Sequence, residues 1–180
     1  MKRIIIHWSA GLGKPNEHEL ECYHFLVDIA GRIHTGYHSP EDNLNCKDGN
    51  YAKHTGGGNT ASIGVSLCGM IGYKNPKNQG RCPITKIQFE SAMQLCAKLC
   101  KKYNITISPT TVMTHYEFGK NHPKTSSYGK IDITFLPPYP EIKTCEVGSF
   151  IRNKILWYYN KTKPKLRQEW FLMMQLLNLP

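Results

Sequence analysis

The sequence predicts a mixed α/β domain followed by a helical C-terminal extension. Three observations carry that reading. Short apolar and β-branched runs recur between turn-forming residues, as the strands of a sheet would. One long segment places apolar residues at helical spacing behind a capping signal. Pro137, Pro138 and Pro140 then separate this body from a stretch of different character. A chain of 180 residues holds one domain with a real core and a small appendage, here divided as residues 1–140 and 141–180.

Lys2 to Trp8 reads as a strand whose isoleucine section is buried on both faces. Gly11, Gly13 and Pro15 end it. Tyr23 to Asp28 and Arg32 to Tyr37 are two further strands, and Ile29-Ala30-Gly31 between them predicts a hairpin. Ser39 to Gly58, with Pro, Asp, Asn and three consecutive glycines, predicts a long surface loop of the kind that serves a site. Ser62 to Gly69 alternates as a strand, with Ile63, Val65 and Leu67 on one face. Thr85-x-x-Gln88 is a capping box opening a helix whose stripe is Phe89, Met93, Cys96, Leu99, Cys100 and Tyr103. Ile105 to Ile107 and Thr111 to Thr114 are short β segments around Pro109. In the extension, Phe150, Ile151, Leu156 and Trp157, then Trp170 to Leu177, predict two amphipathic helices packed mainly on the domain.

The composition, 40% hydrophobic and 20% charged, is that of a globular protein. A net charge of +10 implies attraction to something acidic: nucleic acid, anionic lipid or an anionic wall polymer. No recognition-helix or stacking motif supports nucleic acid, so no nucleic-acid partner is expected. The apolar stretch after Met1-Lys2-Arg3 is too short for a signal peptide, and Trp170 to Leu177 is too short to span a bilayer. The expectation is cytoplasmic synthesis without stable membrane insertion. Seven cysteines lacking any Cys-x-x-Cys suit a reducing compartment and argue against a zinc ribbon.

The chemistry concentrates in two distant segments. His7 and His115 each end an apolar or β-branched run, where a strand delivers a side chain to the rim of a sheet, and Asp132 follows His115 in Lys130-Ile131-Asp132. Two imidazoles and one carboxylate form a three-ligand set for zinc with the fourth position open, the pattern of a catalytic site.

In order along the chain, IIIHWSAG, YHFLVD, GGGNTASIGVSLCG, the helix from Thr85, THYEFG and KIDITFLPP resemble the type 2 N-acetylmuramoyl-L-alanine amidases, a family that includes peptidoglycan recognition proteins and phage lysozymes of the amidase kind. The resemblance runs from about Lys2 to Pro138. It implies a central mixed β-sheet flanked by helices, Zn2+ as cofactor, and His7, His115 and Asp132 as its ligands. It also implies Lys130 as a positive charge for the oxyanion and Tyr23 beside the metal, against readings of a solvated lysine and a core-edge aromatic. Lys-x-Asp in an extended segment would set both side chains on one face. His54 falls near a family position lining the peptide groove and is the candidate substrate contact, or else an ordinary surface histidine.

Two departures stand out. Ser66 occupies the strand position where the cytosolic recycling branch carries a glutamate, which leaves the general base unassigned and Glu117 in reserve, or simply salt-bridged. The interval from His115 to Asp132 is long, and Gly119 to Gly129 is expected to form a loop over the cleft. The function implied is zinc-dependent hydrolysis of the amide between N-acetylmuramic acid and L-alanine, with peptidoglycan or muropeptide as partner. An endolysin of a phage or prophage, released by a holin-type route, would fit this, and so would an enzyme that recycles wall fragments inside the cell. The alternative is a non-catalytic peptidoglycan-binding module of the same fold.

Overall fold

Five strands form one mixed sheet in the order β3-β2-β4-β1-β5. The computed structural model describes residues 1–161. The strands are β1 (Arg3–Trp8), β2 (Phe25–Val27), β3 (Ile33–Thr35), β4 (Ser62–Leu67) and β5 (Val112–Thr114). β1 runs parallel to both β4 and β5, and β2 runs parallel to β4. Only β2 and β3 pair antiparallel, as the expected hairpin.

Alternation along β1 sorts its side chains onto two faces. Ile4, Ile6 and Trp8 join Ile63, Val65 and Leu67 of β4 in the main core. That core is closed by α2 (Lys86–Lys102) and α4 (Thr144–Lys161). Thr85 caps α2 with Gln88 in the anticipated capping box. Ile5 and His7 face the other way, where a smaller cluster of Ile5, Met113 and Phe118 forms. The triple-isoleucine run is thus buried on both sides because the sheet is covered on both sides.

One helix is added to the expected elements, and three local expectations are corrected. Glu17–Cys22 forms a short helix, α1, capped by Asn16 with Glu19. Ser39 to Gly58 is more than a surface loop: it contains a 3-10 helix at Pro40–Leu44 and covers the second face of the sheet. Asn43, fully buried, makes this possible. Its amide donates to the Ala52 and Asn59 carbonyls, and its oxygen accepts from the Ala52 N–H. Ile105 to Ile107 forms no strand, since Ile105 N–H closes the end of α2 on the Cys100 carbonyl. Finally, His115 opens a helix, α3 (His115–Asn121), so the expected insert loop begins only at His122.

The expected second helix of the extension, Trp170 to Leu177, lies outside the described residues. The seven cysteines are free thiols. No helix among the described residues is long and apolar enough to cross a membrane.

Candidate metal centre

His7 reaches the site from the penultimate position of β1, in register with Ser66 of β4. His115 arrives from the neighbouring strand: β5 ends at Thr114, and the backbone turns there into α3. Thr114 caps that helix by accepting the Glu117 N–H, while Glu117 accepts the Thr114 N–H. Asp132 comes last, at the start of a turn in which Ile133 adopts φ +59°.

The three side chains meet. His7 Nδ1 lies 3.2 Å from His115 Nδ1 and 3.0 Å from Asp132 Oδ2, and His115 Nδ1 lies 2.9 Å from the same oxygen. Four ligands tetrahedrally arranged about zinc at 2.0–2.1 Å are separated by roughly 3.3 Å, so these spacings are close to what a shared ion needs. His7 is fully buried, whereas the Asp132 side chain keeps 14% of its surface exposed, which gives the cluster a side open to solvent.

Hydrogen bonding fixes the tautomer of His115. The single hydroxyl proton of Ser127 goes to the Gly56 carbonyl at 2.8 Å. Ser127 Oγ, 2.9 Å from His115 Nε2, must therefore accept the Nε2–H. In the neutral ring this leaves a bare lone pair on Nδ1, aimed at the Asp132 carboxylate and His7. A shared proton or a metal cation would satisfy two acceptors facing each other at 2.9 Å, and the donor set fits a divalent metal. On the other ring, His7 Nε2 lies 3.4 Å from Thr55 Oγ1.

Electrostatics point the same way. Burial pushes the His7 pKa down to about 4, which keeps the ring neutral and able to ligate at pH 7. Burial opposes ionisation of Asp132, but contact with the two imidazoles outweighs it and holds the carboxyl below its usual range.

The other anticipated residues take different places. The Tyr23 ring centroid is 5.2 Å from that of His7. Burial first, and then the Asp132 charge, raise its phenol above the usual range, so it stays protonated and can donate a hydrogen bond. Lys130 is exposed; its segment is not a strand, and the extended-face argument does not apply to it. It borders a groove of about 350 Å3 lined by Tyr116, Lys120, Tyr128 and Gly129.

His54 packs behind His7 rather than along the cleft. It is 5% exposed, its ring is 5.4 Å from those of His7 and His24, and its Nδ1 is 2.8 Å from Thr55 Oγ1. His24 is structural: Nδ1 accepts the Gly64 N–H, and Nε2 faces the Asn43 amide oxygen. Ser66 Oγ is buried with no hydrogen-bond partner among the described residues. Glu117 is salt-bridged, to Arg152. Ser127 and Thr55, which touch the histidine rings, carry no signal of this in the sequence. Ser127 is 12 residues from His115 and Thr55 is 48 from His7, and no local pattern marks them.

A sequence model described as N-acetylmuramoyl-L-alanine amidase matches residues 1–129, a span that includes His7 and His115 and stops short of Asp132. No curated protein matches the chain. Among solved structures, the N-acetylmuramoyl-L-alanine amidase LysC from Clostridium intestinale URNW is 17% identical over 69% of this chain and 75% of its own, with a TM-score of 0.45. Drosophila peptidoglycan recognition protein SD is 15% identical over 70% of this chain and 74% of its own, with a TM-score of 0.47.

Proposed function

The chain belongs to the N-acetylmuramoyl-L-alanine amidase family, and from that premise we propose that it is a zinc-dependent hydrolase of the amide between N-acetylmuramic acid and L-alanine in peptidoglycan. The observation that carries this reading is the convergence of His7 Nδ1, His115 Nδ1 and Asp132 Oδ2, all within 4.8 Å of one another. These three would hold the ion. Zinc, when bound, supplies a Lewis acid that makes water nucleophilic near neutral pH and polarises an amide carbonyl.

The protein's own groups have distinct tasks. His7 and His115 present neutral nitrogen lone pairs, the latter because Ser127 accepts its other ring proton. Tyr23, protonated at neutral pH, donates toward the carbonyl oxygen as it gains negative charge. Lys130 brings an ammonium to the same region from the exposed rim. Ser66 offers no carboxylate base, so proton movement falls to the groups around Tyr23 and Asp132. His54 enters the proposal through its packing on His7.

The net charge of +10 supports an anionic wall polymer or its muropeptide fragments as substrate. We extend the proposal to a phage or prophage endolysin that reaches the wall through a holin-type route. The test is digestion of purified peptidoglycan with and without chelator, read by mass spectrometry for stem peptides with a free L-alanine amino terminus. Chelator-sensitive release of such peptides is expected. Retention on the wall without release would replace the enzyme with a binding module.

A further inference from the structure

Helix α4 lies beyond the residues matched by the family, yet it packs into the main core through Val147, Ile151 and Ile155 and makes polar contacts with the body of the domain. Lys154 Nζ meets Glu90 of α2 at 2.8 Å. Arg152 does something different. Its guanidinium grips Glu117 with both nitrogens, Nη1 to Oε2 and Nη2 to Oε1, each at 3.1 Å. Nη1 also donates to the Val112 carbonyl of the edge strand β5 at 3.1 Å. Gly148, one turn earlier on α4, leaves the room this needs, because a Cβ there would fall 1.9 Å from Glu117 Oε1.

Glu117 is the carboxylate that completes the cap of α3, accepting the Thr114 N–H at 2.9 Å. His115 is the first residue of that helix. A planar fork on both oxygens fixes the carboxylate's orientation as well as its charge. The fork also ties the first residue of β5 to the first turn of α3, across the bend where the backbone delivers the imidazole.

We infer that α4 is a brace for His115, with Arg152 as a positioning residue acting through Glu117. The inference rests on the metal reading above. Small displacements of a ligand's support cost metal affinity even when the ligand itself is intact. The 144–161 segment is accordingly part of the working domain rather than an appendage to it.

The test uses the full chain and Co2+ alone as probe, with affinity measured by chelator competition and geometry by visible absorption. Arg152→Ala should weaken Co2+ binding about ten-fold or more and alter the absorption bands. Arg152→Lys, which keeps charge but not the fork, should recover only part of the loss. Lys154→Ala removes a polar contact of α4 that does not touch Glu117, and it should leave affinity within about two-fold of the parent. Equal losses in Arg152→Ala and Lys154→Ala, or no loss in either, would overturn the brace.

Hydrogen exchange at the Thr114 and Glu117 amides gives an answer independent of metal. Faster exchange in Arg152→Ala than in Lys154→Ala supports the brace, and equal exchange overturns it. Should the parent protein take up no Co2+, the metal reading fails by itself and the exchange data still decide. If Arg152→Ala does not fold, Glu117→Gln, which keeps an acceptor for the cap but loses the charge, is read by the same two measurements with the same expected direction.

Discussion

His7 Nδ1 and His115 Nδ1 stand 3.2 Å apart although 108 residues separate them in sequence. That proximity comes from the pairing of β1 with β5, which sets Ile6 opposite Thr114 and so leaves each histidine one step beyond a matched pair. His115→Ala should therefore abolish both zinc retention and hydrolysis. Lys130→Ala should keep stoichiometric zinc while lowering turnover by about 10²–10³, the range for losing one stabilising group at an oxyanion. Metal content by mass spectrometry beside a cleavage assay separates the two, and matching metal loss in both variants contradicts the assigned roles.

Ser127→Ala leaves the His115 Nε2–H buried without an acceptor. The expected cost is about 1–3 kcal/mol of stability. Zinc affinity should drop about ten- to a hundred-fold, because the ring is then free to change tautomer or rotate. Chelator competition checks the affinity and urea denaturation the stability. Unchanged zinc affinity would mean that another group orients the ring.

Gly64→Ala would put a methyl 2.5 Å from His54 Cγ, inside van der Waals contact. His54 is enclosed between His7 and His24 and cannot simply swing away. We expect a loss of about 1–3 kcal/mol, the usual cost of overpacking, read as a lower thermal midpoint. A neutral substitution would show that the histidine layer is loosely held.

The buried histidines also set an acid limit. His24 titrates near 6.5 when unfolded, but burial pushes its pKa down to about 4 in the folded protein. The unfolded chain thus binds the proton first as pH falls. The stabilisation is fully present above pH 6.5, is lost on the way down to about 4, and amounts to something on the order of 3 kcal/mol for this residue. Urea midpoints of the metal-free protein from pH 7.5 to 4.5 should fall steadily below 6.5, and by less in His24→Asn. A flat profile would mean that His24 is already protonated or solvated.

The elements that could be read from the sequence were those whose side chains follow one rule over several residues. Ile4, Ile5 and Ile6 announce a doubly covered strand, and Thr85 with Gln88 announces α2. The same capping pattern was present at Asn16 with Glu19, and at Thr114 with Glu117, where α1 and α3 begin. Those helices are only six and seven residues long and carry little apolar periodicity. The meeting of His7, His115 and Asp132 could be anticipated because histidine and aspartate declare their chemistry. Ser127, Thr55 and Arg152 could not, since their work depends on partners 12, 48 and 35 residues away. The shared face expected for Lys130 and Asp132 fails for a related reason: a turn with a left-handed residue at Ile133 replaces the extended geometry.

The position of β1 inside the sheet has a consequence for biosynthesis. Both of its neighbours, β4 and β5, come later in the chain, and β5 begins only at Val112. A ribosome-bound or truncated product ending between Leu67 and Val112 therefore exposes one hydrogen-bonding edge of a triple-isoleucine strand, a template for intermolecular pairing. Chaperone demand should accordingly persist through that window and end once β5 has emerged.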